Sequence, residues 1–212
     1  MSINIFLEYF NFFSFVIGDN PFFSKDDASS ISSITATISV LVAIGAIIIS
    51  SYTVRSQKKQ NQFNNLLKVF ELLNKEDRRK ARKEIYRAYL NFQNKYKNKK
   101  DKPDDLLNDR DVKDRESLQH NIEIIRADFD QIGSMSENKL FSDNAYFASA
   151  WDPTLRCWEC LELHIQKQRR IRKAPYYMTY FERLAKKAEK YRIKKKYPKI
   201  TFFDDTTNKE ID

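Results

Sequence analysis

A run of 27 residues without a charged side chain, from Ala28 to Val54, constrains this chain more than any other feature. A helix needs about 20 largely apolar residues to cross the hydrocarbon core of a membrane. A buried helix of a soluble domain normally shows a polar face, and the end of this run shows only a few hydroxyl groups. The run therefore predicts a transmembrane helix over residues 31–54, whose core side chains are Ile38, Leu41, Ile44, Ile47 and Ile48.

The flanks of this run predict its orientation. A cleaved signal peptide fits poorly, because the run starts near residue 30 and has no basic segment before it. Arg55, Lys58 and Lys59 follow the run, residues 1–54 carry a net charge of −3, and residues 55–212 carry +12. Because basic residues accumulate on the cytoplasmic side, we expect a single-pass protein of the cell membrane with its N-terminus outside and its C-terminal domain in the cytoplasm.

Residues 1–30 form an aromatic-rich N-terminal segment with several Phe side chains. Its apolar part, residues 3–17, is short for a membrane span, so an interfacial helix is the first interpretation. The alternative is a second, short span that forms a hairpin with the first. Both interpretations leave the large C-terminal domain in the cytoplasm.

The rest of the chain shows the pattern of helices. With 3 Gly and 5 Pro among 212 residues, it has too few turn signals for an all-β fold. Apolar residues recur every three or four positions in several segments, as on one face of a helix. Two of the predicted faces are Phe63, Leu66, Leu67, Phe70 and Leu73 after the apolar run, and Leu118, Ile122, Ile125, Phe129 and Ile132 further along the chain. The fold class is therefore all-α, with a single transmembrane helix followed by a cytosolic antiparallel bundle of about five helices over residues 55–198. A charged loop is expected near residues 98–116, and an acidic tail over 199–212.

Local signals predict where these helices begin and end. Asn74 is expected to cap one helix, and Gly133 suits the position after the end of another. Ser142 is expected to cap a short helix through Phe147. Two Pro-containing pairs, Asp152-Pro153 and Ala174-Pro175, are expected to open the last two helices, because Pro is favoured in a first turn.

At this point a resemblance appears to an uncharacterised prokaryotic membrane-protein family that is catalogued only as a domain of unknown function. The segments that carry it are hydrophobic: NLLKVFELLN, ADFDQIGSM, a Phe and a Trp ten residues apart (Phe141 and Trp151), and FERLAKKAEKYR. The chain is similar to the family over roughly residues 30–195. The resemblance implies one N-terminal span and a cytosolic all-helical domain, and it implies no activity or catalytic residues.

Few residues have the spacing of a catalytic or metal site. Cys157, Cys160 and His164 fall near one helix face, where core packing, metal binding and redox chemistry are the three interpretations. Asp128 and Asp130 point to different sides of their helix and are read as solvated charges or as partners for Arg126 and nearby Lys. There is no phosphate-binding loop and no nucleophile elbow. We therefore expect no enzymatic activity and no cofactor.

The C-terminal helices are strongly basic. Residues 167–199 contain 14 Lys or Arg against 2 Glu, a net charge of +12. A solvated face, contact with anionic lipid and nucleic-acid binding remain as interpretations. The candidate contacts with an anionic surface are Lys167, Arg169, Arg170, Arg172, Lys173, Lys186, Lys187, Lys190 and Lys194.

These features together predict a membrane-anchored cytosolic interaction module without catalytic activity. Its expected partner is another membrane protein or a second copy of the chain, with anionic lipid as a further candidate. The alternative is a membrane-tethered nucleic-acid-binding or defence-related effector that uses the basic helices. Nucleic acid is favoured less as a partner, because no recognisable nucleic-acid-binding module is present.

Overall fold

The computed structural model describes residues 25–97, 105–108, 114–200 and 202. This part of the chain is all-helical, as predicted. The helices are α1 (Lys25–Asn74), α2 (Glu76–Tyr96), α3 (Arg115–Glu137), α4 (Asp143–Arg172) and α5 (Thr179–Lys194), with a short 3₁₀ helix at Leu106–Asn108. The chain divides into two compact units, residues 1–58 and 59–212. The predicted N-terminal segment and the acidic part of the tail lie almost entirely outside the described residues.

The first unit contributes one long apolar stretch of α1. Between residues 36 and 54 every described side chain except Ser39 and Gly45 is exposed. Hydroxyl groups bond back to the helix, since Thr37 Oγ1 donates to the Ser33 carbonyl and Thr53 Oγ1 to the Ile49 carbonyl, each at 2.9 Å. This bonding lets polar residues occur in an apolar helix without leaving a donor unsatisfied.

The second unit is a helical bundle in which α2 runs antiparallel to α3, and α4 runs antiparallel to α5. Cross-helix contacts show the directions, because residue numbers rise on one helix as they fall on the next. Between α2 and α3, Arg78 contacts Asp128 whereas Glu84 contacts Asn121. Between α4 and α5, Arg169 contacts Glu182 whereas Phe147 contacts Tyr191. The predicted antiparallel bundle is therefore confirmed for these helices.

Aromatic side chains build much of the bundle core. Phe181 on α5 stacks on Phe129 of α3 at 5.0 Å between ring centroids and meets Trp158 of α4 edge to face at 5.2 Å. Phe181 and Phe129 are fully buried, and Trp158 is half-buried. Ring pairs of this kind add to the stabilisation that comes from burial alone. Three helices are thus held together at one point.

Gly133 has a different role from the one predicted. It lies inside α3, which continues to Glu137, and not after its end. A Cβ atom at Gly133 would lie 2.2 Å from the backbone oxygen of Tyr180. Glycine is needed because the backbone at the start of α5 approaches α3 too closely for any side chain.

The predicted break before Pro153 was wrong. Ser142 does cap the helix, accepting a hydrogen bond from the Ala145 backbone at 3.4 Å, but α4 then continues through Pro153 to Arg172. Proline removes one backbone donor from a helix interior. Thr154 Oγ1 donates to the Ala150 carbonyl at 2.6 Å in the same turn, and Tyr146 Oη bonds to this hydroxyl. This bonding does not replace the donor lost at Pro153, whose partner would be the Ser149 carbonyl. The residues next to the proline are buried in the bundle core, which keeps this part of α4 in place: Ala150, Thr154 and Leu155.

Three other predicted boundaries also differ. α2 begins at Glu76 after Lys75, without a side-chain cap from Asn74. Ala174-Pro175 lies in a turn and does not open α5, which starts at Thr179. Part of the predicted charged loop is ordered, because Leu106 is buried in its 3₁₀ helix and Asp105 is buried beside it.

Candidate functional site

The apolar stretch of α1 is the first candidate site. It is long and apolar enough to cross a membrane, and none of its most apolar window is buried. The predicted core residues of the span are all about half exposed or more: Ile38 at 55%, Leu41 at 63%, Ile44 at 49%, Ile47 at 65% and Ile48 at 63%. The core helix of a soluble protein would be mostly buried. The described protein therefore contains one candidate membrane-spanning helix.

One face of this helix was missed by the reasoning from sequence. Ser39, Ala43, Ala46 and Ser50 follow each other at spacings of four, three and four residues, which places them on one face of α1. Large apolar residues such as Leu41 and Ile48 lie on the opposite side. Small residues at this spacing let two membrane helices approach closely. The spacing is present in the sequence, but the total hydrophobicity of the run does not reveal it.

The two cysteines are packed in the bundle core. Cys157 and Cys160 are buried, and Cys157 Sγ lies 3.2 Å from Tyr86 Oη. Burial raises the pKa of Cys157 to about 12 and the pKa of Cys160 well above its ordinary value. Metal binding and redox chemistry need a thiolate, so these protonated thiols fit the packing interpretation. Within the residues that the structure describes, no three metal-ligating side chains come together.

The acids of α3 have structural partners. Asp128 accepts a hydrogen bond from Arg78 Nε at 2.6 Å. Asp130 accepts one from the backbone N–H of Phe181 at 2.9 Å, in the first turn of α5. That contact satisfies a helix-end donor that has no partner within its own helix. Neither acid contacts Arg126, so they do not form the predicted pair with that residue.

Several of the predicted basic contacts are held by acids. Arg169 Nη1 lies 2.9 Å from Glu182 Oε2, and its Nε donates to the Tyr177 carbonyl at 2.8 Å. Lys186 Nζ binds the other oxygen of Glu182 at 2.5 Å. The hydrogen bonds from Lys186 and Arg169 lower the pKa of Glu182 against the opposing effect of burial. The Arg169 side chain is only 12% exposed and joins α4 to α5.

Lys187 forms a second network of this kind. Its Nζ lies 3.0 Å from Glu137 Oε1, 3.1 Å from Asp143 Oδ2 and 2.9 Å from Ser136 Oγ. Burial alone lowers the pKa of Lys187, but the two carboxylates outweigh this effect and raise it. Lys187 thus connects α5 to the α3–α4 turn, a position in which it stabilises the bundle.

The remaining predicted contacts lie in two places. Lys167 is partly buried, with its Nζ 3.6 Å from Asp105 Oδ2. The other five are exposed, at the end of α4 or along α5: Arg170, Arg172, Lys173, Lys190 and Lys194. The end of α4 also exposes Ile171, at 63%, and the turn that follows exposes Tyr176, at 78%. Three of the nine predicted contacts thus pair with acids, Lys167 is partly buried, and five are exposed. Arg170, Arg172 and Lys173 form, together with Ile171 and Tyr176, a surface that we call the exposed tip.

The fold and these sites define an all-helical protein in which one long apolar helix precedes a charged helical bundle. A family model described as a domain of unknown function (DUF4760) matches residues 33–188. This match covers more than half of the chain, which therefore belongs to the DUF4760 family. No curated protein and no solved structure matches the chain. The predicted resemblance to an uncharacterised family is confirmed, and it includes most of the apolar helix.

Proposed function

We propose that this protein is a single-pass, membrane-anchored helical module that acts by binding another protein and has no catalytic activity. The observation that carries the proposal is the uncovered apolar helix, which has no charge between Ala28 and Val54 and exposes nearly all its described side chains. Surface of this kind is stable only against lipid or against another helix. The bundle is then a cytoplasmic domain held at the membrane by its covalent link to α1.

The partner that we propose is a second copy of the chain, bound through the small face of α1. Small residues allow van der Waals contact between backbones, which is the main attraction between helices in lipid. In a symmetric pair the same face serves both subunits, so no second surface is needed. Large side chains on the opposite side, such as Leu41 and Ile48, then face lipid.

Cysteine cross-linking in native membranes tests this partner. The variants Ala43→Cys and Ala46→Cys place a thiol on the small face, and Leu41→Cys and Ile48→Cys are the matched controls on the opposite face. We expect oxidation to give a dimer from the first two and little or none from the controls. Equal cross-linking from both faces would refute the helix pair. Cross-linking to another protein would show that the partner is a different membrane protein and not a second copy. The proposed role as an interaction module would then remain.

Topology is tested separately. The basic residues after the span favour an orientation with the bundle in the cytoplasm and the N-terminal segment outside. Protease added to right-side-out vesicles should leave a tag placed after Asp212 intact, and should digest it once the vesicles are opened with detergent. Digestion of the tag in closed vesicles would show that the orientation is the opposite one. That result would leave the proposed helix pair unaffected.

The exposed tip favours a second candidate function, which is contact with anionic lipid. Ile171 and Tyr176 are exposed there beside Arg172 and Lys173. Apolar side chains next to basic ones suit the boundary between lipid headgroups and acyl chains. In a flotation assay, the full-length protein in detergent should bind vesicles that contain an anionic lipid, and Tyr176→Ser combined with Lys173→Gln should weaken that binding. Equal binding by both proteins would remove this candidate.

A further inference from the structure

A polar cleft lies in the second unit, beside the 3₁₀ helix Leu106–Asn108 and between α3 and α4. Its volume is about 330 Å³, near the lower end of the range for small-molecule sites. Four basic side chains line it: Arg115, Arg126, Lys167 and Arg172. They come from two different helices, and the fold brings them together. Neither cysteine is among its lining residues.

The two acids in the wall of the cleft already have partners. Asp105 is buried, accepts a hydrogen bond from His164 Nδ1 at 3.0 Å, and lies 3.6 Å from Lys167 Nζ. Glu123 Oε1 accepts a hydrogen bond from Gln119 Nε2 at 3.3 Å. Among the described lining residues, the basic side chains outnumber the acids, and the two acids above form no hydrogen bond with Arg126 or Arg172.

Arg126 is the least satisfied group in this wall. Its Nε and Nη1 are shielded from solvent and have no hydrogen-bond partner among the described residues. Its guanidinium lies over the ring of Tyr177, at 5.2 Å from the centroid. The guanidinium of Arg172 lies over the same ring at 4.7 Å. Two positive groups thus share one aromatic ring, and each disfavours the charge of the other.

Both features of Arg126 favour a bound anion. A charged group that has lost water is costly unless an opposite charge compensates it. Burial lowers the pKa of Arg126, Glu123 opposes this effect, and the charge of Arg172 adds to it.

We propose that this cleft binds a phosphate group, with Arg126 as the central contact and Arg172 beside it. A phosphate monoester carries a charge of about −1.5 to −2 at pH 7, which matches two guanidinium groups better than one carboxylate does. The planar guanidinium also has the geometry to donate two parallel hydrogen bonds to phosphate oxygens. Ile171 lines the same cleft and offers an apolar contact to whatever carries the phosphate.

Two sources could supply this phosphate, a soluble small molecule and a lipid headgroup. The experiment therefore uses the full-length protein in two kinds of nanodisc. In discs of neutral phosphatidylcholine, inorganic phosphate is titrated and its binding is measured by calorimetry. In the second arm, discs that contain phosphatidic acid present a phosphate monoester in the lipid, and protection of the protein against thermal unfolding is measured without added phosphate.

Arg126→Gln is the decisive variant, and Lys75→Gln is its matched control. Lys75 is exposed just before α2 and does not line the cleft, so its substitution removes the same charge from a different place. We expect Arg126→Gln to weaken phosphate binding, or to remove the lipid-dependent protection, by tenfold or more, and Lys75→Gln to change either by less than about twofold. An effect in the first arm identifies a soluble ligand, and an effect confined to the second identifies a lipid.

Two further variants distinguish a loss of binding from a loss of folding. If Arg126→Gln loses helix content by circular dichroism, Arg172→Gln takes its place, because Arg172 is exposed on the surface of α4. Arg126→Lys keeps the charge and loses the planar donor group, so it should bind phosphate less tightly than the wild type. The proposal is overturned if neither arm shows binding, or if Lys75→Gln weakens binding as much as the cleft variants do.

Discussion

Isoleucine side chains have opposite environments in the two units of this protein. Ile47 in the apolar stretch of α1 is 65% exposed, whereas Ile122 in α3 is fully buried by neighbouring helices. Burial of apolar surface contributes roughly 25 cal/mol for each Å² removed from water. The bundle obtains this stabilisation from its own helices. Within the described residues, the apolar stretch of α1 has no such cover. Hydrophobicity in a sequence therefore indicates that burial is needed and does not identify the partner.

The largest effect is expected where the bundle core is tightest. Phe181→Ala removes a ring that is fully buried and packs on both Phe129 and Trp158. We expect the free energy of unfolding to fall by about 3–5 kcal/mol, the cost of truncating a buried aromatic residue. Chemical denaturation of the full-length protein in detergent, followed by circular dichroism, measures the change. Ile193→Ala is the control, because Ile193 is 60% exposed and its loss should cost less than about 0.5 kcal/mol.

A small loss for Phe181→Ala would mean that the core is looser than the ring stack indicates. The comparison between the units would then weaken, because the bundle would no longer bury its apolar residues in a closely packed environment. Insertion of the protein into membranes should be unaffected by this substitution.

The next largest effect is expected in the proposed span. Ile44→Arg places a charge in the middle of the apolar stretch, where insertion of an arginine costs about 2.5–3.5 kcal/mol. We expect the variant to appear in the fraction that alkaline carbonate extracts from membranes, with the helices of the bundle still formed. Ile193→Arg introduces the same residue at an exposed site of the bundle and should leave the protein in the membrane. If Ile44→Arg also stays fully inserted, the stretch is not the anchor.

A third effect compares two glycines. Gly133→Ala brings a Cβ atom against the Tyr180 carbonyl, whereas nothing lies within 4 Å of a Cβ at Gly45. Forcing an extra methyl group into a packed contact typically costs about 1–3 kcal/mol. We expect Gly133→Ala to lower the melting temperature of the bundle, and Gly45→Ala to leave it unchanged. Equal behaviour of the two variants would show that α3 and α5 can separate without cost.

Much of the fold could be predicted from the sequence, because periodic apolar residues report directly on which face of a helix is buried. The predicted face of α3 illustrates this, since Leu118, Ile122, Ile125, Phe129 and Ile132 are all buried. The prediction was less accurate after the apolar stretch, where Phe63 and Leu67 were placed on the same inner face as Leu66. Phe63 is 59% exposed and Leu67 is 44% exposed, whereas Leu66 is buried.

The errors share one physical cause, which is that local signals do not record tertiary contacts. Gly133 resembled a helix end because nothing in its neighbourhood reveals the distant Tyr180 backbone. Pro153 resembled a helix start because the sequence does not show that Ala150, Thr154 and Leu155 beside it are buried in the bundle, where α4 continues through the proline. The turn before α5 uses Lys173 and Met178 in left-handed conformations, with φ near 52° and 56°, although neither is glycine. Such residues give no turn signal in a sequence.

The candidate sites were predicted unevenly for a similar reason. Composition alone located the apolar helix and the basic C-terminal region. It could not show that Arg169, Lys186 and Lys187 are engaged with acids, because those acids are recognisable as partners only after folding. It also could not locate the cleft around Arg126, whose lining comes from segments far apart in the chain.

The smallest expected effect concerns pH and again separates the two units. No carboxylate lies between Ala28 and Val54, so acid should act on the bundle and leave this stretch unchanged. Burial by itself raises the pKa of Asp105, but the hydrogen bond and charge of His164, together with Lys167, outweigh it and lower that pKa. At Asp128, burial raises the pKa more strongly than Arg78 lowers it. The two buried acids of the bundle therefore respond to pH in opposite directions.

The sign of each contribution follows from linkage between protonation and folding. A carboxylate whose pKa is lower in the folded state stabilises the fold above its unfolded pKa of about 4, and this stability is lost as pH falls through the folded value. Asp105→Asn should therefore flatten the loss of stability below about pH 4. The pKa of Asp128 is raised in the folded state, so its protonation stabilises the fold as pH falls. Asp128→Asn removes this contribution and should make the fall in stability below neutral pH steeper. Thermal unfolding of the full-length protein between neutral pH and pH 3 measures both slopes. Identical slopes for the two variants would show that neither buried carboxylate governs the acid response of the bundle.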